Sequence, residues 1–332
     1  MSPRNFLRWQ SAAVTTECLQ DRVRSKRRIT ELYTKAADQL GSDQAPVRLA
    51  GLYALERLAH STAEHRQTIV DVICAYLRMP YTPPPPETPQ VGTHYGDRAH
   101  GAADSPSSTI TTSQSEATPT DQHQQSRQER EVRLTAQGIL ARNLRLPDLP
   151  DESRRRRWAP WRGAYREPSW PGIRLNLNRA LLLDVSLESC WIAEADFIGT
   201  QFIGLTDFNG ARFTGGANFE GARFTGMAYF AGARFTGETY FEGARFTGET
   251  YFTGARFTGE TCFAGAQFVG GAHFYGAQFY VGALDALEGA RVSGPGLHQS
   301  VWPPGWTTRP GQPDKGEDPA FRYLVRGEDP AG

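Results

Sequence analysis

The most restrictive feature of this chain is a phenylalanine that returns at alternating steps of six and five residues. It is clearest in ARFTGETYFEGARFTGETYFTGARFTGETCF, residues 233–263. These steps match neither the 3.6-residue period of a helix nor the two-residue period of a long strand. An eleven-residue period would suit a right-handed helical coiled coil. However, each eleven residues contain two glycines, which would cost a helix about 2 kcal/mol, so we exclude a helix.

A small residue lies two positions before most of these aromatic residues, and glycines separate the units. Small and large residues at that spacing predict very short strands with one buried face, each followed by a turn. A hairpin meander would need longer strands, so we predict a β-solenoid, in which coils stack on one another. Before Phe202 the step is a uniform five residues. The predicted core consists of Leu177, Leu182, Leu187, Ile192, Phe197, Phe202, Phe208, Phe213, Phe219, Phe224, Phe230, Phe235, Phe241, Phe246, Phe252, Phe257, Phe263, Phe268, Phe274 and Phe279.

This tandem A-x-F/L-x-x pattern resembles the pentapeptide-repeat family over about residues 173–282, with GARVS around Val292 as a candidate last copy. The resemblance implies a right-handed, four-sided β-helix with one repeat on each side. The six-residue steps resemble a variant in which every second corner has an extra residue, so that each coil is longer. The segment 29–59 is similar to the helical segment that precedes the repeats in many bacterial members. In such relatives transmembrane helices often come first, whereas this chain has no candidate span.

The sequence predicts further segments before and after the solenoid, which covers residues 173–292. Residues 1–80 form a helical module, with an apolar stripe of Ile29, Leu32, Tyr33, Ala36 and Leu40. Within it, Pro46 is expected to begin a second helix, and Ser61 to Glu64 to form a capping box that opens a third. Residues 81–126 are predicted to be a disordered linker because they contain almost no aliphatic side chains. Residues 127–172 supply a connecting helix and a basic-aromatic segment, and 293–332 an irregular tail rich in Gly and Pro.

The residue just before each core phenylalanine is predicted to point outward, and equivalent residues of successive coils should stack in columns. The candidate interaction surface consists of Arg212, Arg223, Arg234, Arg245 and Arg256 on two opposite sides, with Tyr229, Tyr240 and Tyr251 between them. One interpretation is a regular recognition surface. The favoured interpretation is that Glu238, Glu249 and Glu260 at the corners neutralise the arginines, because exposed ion pairs need no function.

A second candidate surface is the segment RRRRWAPWRGAYREPSW, residues 154–170. Its leading residues are Arg154, Arg155, Arg156, Arg157 and Trp158. Arginines beside aromatic residues can bind nucleic acid or an anionic lipid surface. The favoured alternative is a loop whose aromatic residues plug the open end of the solenoid.

The sequence contains no recognisable catalytic constellation, and we expect neither a cofactor nor a metal ion. Lys and Arg total 36, as do Asp and Glu, so the chain as a whole has no bias toward polyanions. The four cysteines are far apart and include no CxxC pair, which suits a reducing, cytoplasmic compartment.

We therefore predict a non-enzymatic interaction or scaffold protein whose partner is another protein. The alternative is binding to nucleic acid or an anionic membrane. A weaker alternative, implied by the resemblance, is modulation of gyrase by DNA mimicry. Residues 173–292 carry eight arginines and twelve acidic residues, but the regular outward columns are Arg and Tyr, which disfavours that mimicry.

Overall fold

A computed structural model describes residues 24, 27–84, 119–146, 169–280, 286–294 and 296–327. Four helices precede a β-solenoid of about five turns over residues 174–292. The predicted fold class, a helical module followed by a β-solenoid, is therefore confirmed. The helices are α1 (residues 27–40), α2 (Ala45–Ser61), α3 (Arg66–Arg78) and α4 (Pro119–Leu144), with a 3-10 turn at Ala63–His65 between α2 and α3.

Two local predictions in the helical module are wrong. Ser61 is the last residue of α2 and donates its hydroxyl to the Leu58 carbonyl at 2.9 Å. Its hydroxyl is thus used at a helix end, and Thr62, before the 3-10 turn, makes no side-chain capping bond. Leu32, placed in the apolar stripe, is half exposed, whereas Ala36 and Leu40 are buried.

The predicted boundary of the linker at residue 126 is also wrong, because α4 begins at Pro119. Proline suits the first turn of a helix, where its missing N–H is not needed. The two ends of the predicted linker contact each other: the Ser126 hydroxyl donates to the Thr82 carbonyl at 2.6 Å, and the Tyr81 hydroxyl donates to the Ser126 carbonyl at 3.2 Å. Residues 85–118 lie outside the described part of the chain.

The solenoid has four faces, each a parallel sheet with one short strand from each coil. Face 1 contains β1 (Arg174–Asn176), β4 (Glu194–Asp196), β8 (Ala217–Asn218), β12 (Thr239–Tyr240) and β16 (Thr261–Cys262). Face 2 contains β2 (Leu181–Leu183), β5 (Gln201–Ile203), β9 (Arg223–Phe224), β13 (Arg245–Phe246), β17 (Gln267–Phe268) and β20 (Arg291–Val292). Face 3 contains β6 (Thr206–Asp207), β10 (Ala228–Tyr229), β14 (Thr250–Tyr251) and β18 (Ala272–His273). Face 4 contains β3 (Trp191–Ile192), β7 (Arg212–Phe213), β11 (Arg234–Phe235), β15 (Arg256–Phe257) and β19 (Gln278–Phe279).

The strand register shows that the coils differ in length. Leu181 pairs with Gln201 in the N-terminal part of the solenoid, and Ala195 pairs with Ala217 in the next part. The two residues of the second pair are further apart in the chain than the two residues of the first. The coil widens because every second corner gains one residue once the six-residue steps begin. At the C-terminal end β20 pairs with β17, and Val292 is buried. The offset copy around Val292 thus occupies the last position on face 2.

The interior of the solenoid is a stack of aromatic rings. Every residue of the predicted core is buried except Phe279, which is only partly buried. Phe235 lies between Phe213 and Phe257 in nearly parallel stacks, with ring centroids 4.9 and 4.8 Å apart. Phe279 stacks on Phe257 alone, and the described coils place no further ring on its other side. Each fully buried phenylalanine contributes roughly 2–3 kcal/mol.

Threonine and glycine link successive coils in a way that the sequence analysis did not anticipate. The Thr236 hydroxyl donates to the Phe213 carbonyl at 2.9 Å, and Thr247 makes the same bond to Phe224. A Cβ added to Gly237 would lie 2.4 Å from the Gly215 carbonyl carbon, so only glycine allows this approach of two backbones. Gly243 instead has φ of +62°, a value that favours glycine at a tight turn.

The helical module covers the N-terminal end of the solenoid. The Gln137 amide on α4 forms two bonds with Leu183 of β2, donating to its carbonyl at 2.7 Å and accepting from its N–H at 3.1 Å. The Gln67 amide on α3 forms the same pair with Arg174 of β1, at 2.9 Å each. Each side-chain amide therefore takes the place of a peptide group from a preceding coil. These contacts satisfy strand edges that would otherwise be open.

The C-terminal tail, predicted to be irregular, covers the other end with regular structure. After a short helix, α5 (Gly296–Gln299), strands β21 (Trp306–Pro310) and β22 (Arg322–Arg326) form an antiparallel hairpin that pairs with β20. The Trp302 ring lies 5.8 Å from Phe268 and 5.8 Å from Phe274. A prediction based on Gly and Pro content was wrong because a hairpin needs only two short strands and accepts both residues in its connections.

Candidate interaction surface

Faces 2 and 4 carry the predicted arginine columns on opposite sides of the solenoid. On face 4, Arg234 pairs in register with Arg212 and Arg256. On face 2, Arg245 pairs with Arg223. All of these side chains are exposed except Arg212, which is half-buried. Face 4 thus carries guanidinium groups on three successive coils and face 2 on two, with neighbouring coils about 4.8 Å apart.

The arginine columns have no carboxylate partners within 4.0 Å in the described part of the chain. Arg245 donates instead to the Gln267 side chain at 3.3 Å. The interpretation that the corner glutamates neutralise the arginines by direct ion pairs is therefore wrong. Two of the three glutamates accept from tyrosines instead: the Tyr240 hydroxyl donates to Glu238 at 3.0 Å, and Tyr251 donates to Glu249.

These bonds also change the acidity of the two tyrosines. The hydrogen bond to Glu238 raises the pKa of Tyr240 to about 12, and the bond to Glu249 raises the pKa of Tyr251 to about 12. The cause is that loss of the tyrosine proton would place a second negative charge beside the carboxylate. Both hydroxyls therefore act as donors at neutral pH.

The predicted tyrosine columns exist on one face only. On face 3, Tyr229 stacks on Tyr251 with centroids 5.1 Å apart, and Tyr251 stacks on His273 at 4.6 Å. Their ring faces cover one another, so neighbouring molecules can reach mainly the ring edges. On face 1, Tyr240 lies between Asn218 and Cys262 and has no aromatic neighbour in its column.

Face 1 and its two bordering corners are acidic, a feature that the sequence analysis missed. The acidic residues there are Glu194, Asp196, Glu220, Glu238, Glu242 and Glu260. The signal was present in the spacing, because Glu220 and Glu242 are separated by one coil, as are Glu238 and Glu260. It was overlooked because the sequence analysis followed the arginine and tyrosine columns and considered corner glutamates only as partners of the arginines.

Face 2 contains a shallow groove with a cavity volume of about 470 Å³. Its polar lining includes Arg223, Arg245, Gln267 and the threonines Thr225 and Thr247. Glycines at the adjoining corner leave its edge free of side chains. The groove can therefore accept a ridge of anionic groups arranged along the solenoid axis.

Most of the basic-aromatic segment, including Arg154, Arg155, Arg156, Arg157 and Trp158, lies outside the described residues. Its last residue, Trp170, is fully buried. The Trp170 backbone N–H donates to the Asn143 carbonyl at 3.0 Å, and its ring centroid is 5.7 Å from that of His60. This one aromatic side chain packs at the helical end of the solenoid, as the plug interpretation expected.

No cluster of His, Cys, Asp and Glu in the described ranges is arranged to hold a metal ion. Cys74, Cys190 and Cys262 are free thiols. Burial raises the pKa of Cys74 and of Cys190 to about 12, so neither is a reactive thiolate at neutral pH. None of the helices in the described ranges has the length and apolar character that a membrane crossing requires.

A family model described as pentapeptide repeats, in nine copies, matches residues 197–245 and again residues 241–283. Residues 197–283 are pentapeptide repeats. No curated protein and no solved structure matches it. The match agrees with the resemblance found in the sequence and includes the coils that carry the arginine columns.

The pentapeptide-repeat solenoid extends beyond the residues that the family model matches. Strands β1 to β4 precede residue 197. Of these, β2, β3 and β4 pair in register with matched strands, and β1 pairs with β4. At the other end, β20 follows residue 283 and pairs with β17. The outer coils are also the ones that contact the helical module and the C-terminal hairpin.

Proposed function

We propose that this pentapeptide-repeat protein is a non-enzymatic scaffold that binds another protein through the sides of its solenoid. The observation that carries the proposal is the contrast between its ends and its sides. Both ends are covered by other parts of the same chain. The arginine columns on faces 2 and 4 are exposed and have no carboxylate partner among the described residues.

Unpaired like charges one coil apart repel each other, and this repulsion is relieved when an anionic surface binds. Arginine is enriched at protein interfaces, because its planar group forms two parallel hydrogen bonds with a carboxylate. The strands beneath the columns are joined by backbone bonds to the coils on either side. Binding to such a rigid surface loses less conformational entropy than binding to a mobile loop.

The test is affinity capture of the full chain from extracts of its host, followed by mass spectrometry. One variant replaces Arg212, Arg234 and Arg256 with Gln, and a second replaces Arg223 and Arg245. A control replaces the exposed Arg57 of the helical module with Gln. We expect partners to be lost from at least one column variant and retained by the control. Unchanged capture by both column variants, with unchanged thermal unfolding, would contradict the proposal.

A second candidate is binding to nucleic acid or an anionic membrane through the same columns and the segment 154–170. The lack of carboxylate partners for the column arginines favours it, whereas the acidic face 1 between faces 2 and 4 opposes it by repulsion. Gel shifts with single- and double-stranded DNA and pull-downs with anionic liposomes test this candidate. Binding that weakens steeply as salt increases supports it, and no binding at low salt eliminates it.

Gyrase modulation remains a weaker candidate, and the acidic face 1 is the observation in its favour. A supercoiling assay with purified gyrase tests it directly. Replacing Glu238 and Glu260 with Gln should abolish any effect of the protein if face 1 acts as a DNA mimic. If the wild-type protein does not change the supercoiling rate, this candidate is wrong.

A further inference from the structure

We propose that two copies of this chain associate side by side through the corner between faces 1 and 2. The glutamates at that corner in each copy lie in the arginine groove of the other. This inference rests on the proposed function, in which the sides of the solenoid bind protein, and it names a second copy as the partner.

The corner presents a ridge of carboxylates. Glu220 and Glu242 follow the face 1 strands β8 and β12 and are both exposed. No arginine or lysine in the described ranges lies within 4.0 Å of either carboxylate. Gly221 and Gly243 come next at the turn, and an added Cβ there would meet nothing within 4 Å. The ridge is thus bordered by open space on the side toward face 2.

The neighbouring groove is complementary to this ridge in charge. Arg223 and Arg245 supply guanidinium groups, and the hydroxyls of Thr225 and Thr247 lie in the same hollow. Arg223 follows Glu220 by three residues, and Arg245 follows Glu242 by three residues. Two successive coils at this corner therefore each offer one carboxylate and one guanidinium, separated by the turn.

The spacing of the two columns identifies the partner. Members of each column lie at equivalent positions of neighbouring coils, so both columns repeat at the coil spacing of about 4.8 Å. In an extended acidic peptide, side chains on one face are about 6.6–6.8 Å apart, so when one carboxylate meets Arg223 the next would miss Arg245 by about 2 Å. A second solenoid of this chain has the same repeat and keeps both of its carboxylates in register with both guanidinium groups.

Symmetry then sets the orientation of the two copies. A twofold axis parallel to the solenoid axis places the ridge of each copy opposite the groove of the other. A twofold axis across the solenoid would place carboxylates against carboxylates. The favourable arrangement is isologous, so it closes at two copies and does not continue into a filament. The contact between charged groups involves only two coils, about 4.8 Å apart, so we expect a weak, salt-sensitive dimer.

Sedimentation velocity of the full chain, over a range of protein and salt concentrations, tests the proposal. We expect wild-type protein to form a dimer at low salt and to dissociate as salt increases. The variant Glu220→Arg with Glu242→Arg should dimerise at least about tenfold more weakly, as should Arg223→Glu with Arg245→Glu. An equal mixture of these two variants should restore association, because both ridge-to-groove contacts are again between opposite charges.

The matched control reverses the same number of charges on face 4, as Arg234→Glu with Arg256→Glu, and should dimerise like the wild type. Wild-type protein that stays monomeric at low salt, or a variant mixture that does not associate, would overturn the inference. Monomeric protein that sediments with a single-stranded oligonucleotide, dependent on Arg223 and Arg245, would identify a polyanion instead. If copies never associate but capture of other proteins still requires the arginine columns, the inference fails and the proposed function stands.

Discussion

Phe235 illustrates why the core position of the repeat requires a phenylalanine. Phe235 is fully buried and packs between the rings of the coils on either side. We expect Phe235→Ala to lower the free energy of unfolding by about 3–5 kcal/mol, since it removes both stacking contacts and leaves a cavity in a rigid shaft. Urea titration followed by circular dichroism measures this change. The neighbouring substitution Arg234→Ala is the control, and a loss below about 1 kcal/mol for Phe235→Ala would contradict a core position.

The corner glycines provide a second prediction at this scale. Gly237→Ala would bring the new methyl group within 2.4 Å of the backbone of the preceding coil. Backbone cannot move aside as a flexible side chain can, so we expect a loss of about 1–3 kcal/mol in stability. Gly216→Ala is the matched control. Its nearest atom would be 3.8 Å away and its φ is not in the left-handed region, so its effect should stay within about 0.5 kcal/mol. Equal losses in the two variants would argue against close packing of the coils.

At the residue scale the sequence predicts the core well and the surface less well. The alternation of Ala or Thr with Phe determines which side faces inward, because a strand allows only two orientations. The regular return of the outward position also aligns the arginines in columns. Ion pairing does not follow from that regularity, because it depends on which way long exposed side chains turn. The bonds from Tyr240 to Glu238 and from Tyr251 to Glu249 involve residues two apart, a spacing that the sequence analysis did not consider.

At the scale of elements, α4 stabilises the solenoid through one glutamine. Gln137→Ala would leave the N–H and carbonyl of Leu183 buried without partners. We expect a loss of about 2–4 kcal/mol, together with faster amide exchange at β2. Gln67→Ala removes the equivalent pair at β1, but that pair is exposed and water can replace it, so it should cost less than about 1 kcal/mol. Equal effects of the two substitutions would show that burial of the pair does not matter.

The helices were easier to predict than the contacts by which the helical module and the C-terminal hairpin cover the two ends of the solenoid. Apolar spacing identified the segments of α1 to α4, since that spacing reflects packing within one element. Ser126 of α4 bonds to Thr82, and the hairpin of β21 and β22 pairs with β20, so both contacts join residues far apart in the chain. The sequence around an element does not indicate its contacts with residues that are distant in the chain. The same reason explains why neither Gln67 nor Gln137 was singled out.

At the scale of the whole molecule, contacts are mostly between neighbouring coils. A loss of packing at one end should therefore destabilise only the coils nearest to that end. Trp302→Ala removes the ring that packs on Phe268 and Phe274. We expect amide protons of residues 263–279 to exchange at least about tenfold faster, with no change in residues 181–203. Hydrogen exchange with mass spectrometry measures both regions. Substitution of the exposed Tyr275 with Ala is the control. If Trp302→Ala accelerated amide exchange equally in all coils, the effect of the substitution would not be confined to one end.

The two covers of the solenoid have a consequence for how such a rod can vary. In the contacts described above, the glutamines bind only the first coil and the hairpin pairs only with the last. Inserting one whole coil between them would lengthen the rod by about 4.8 Å without disturbing either cover. Inserting half a coil would add two sides and turn one cover by half a revolution relative to the other. Duplication of repeats can thus change both the reach of the molecule and the angle between its two ends.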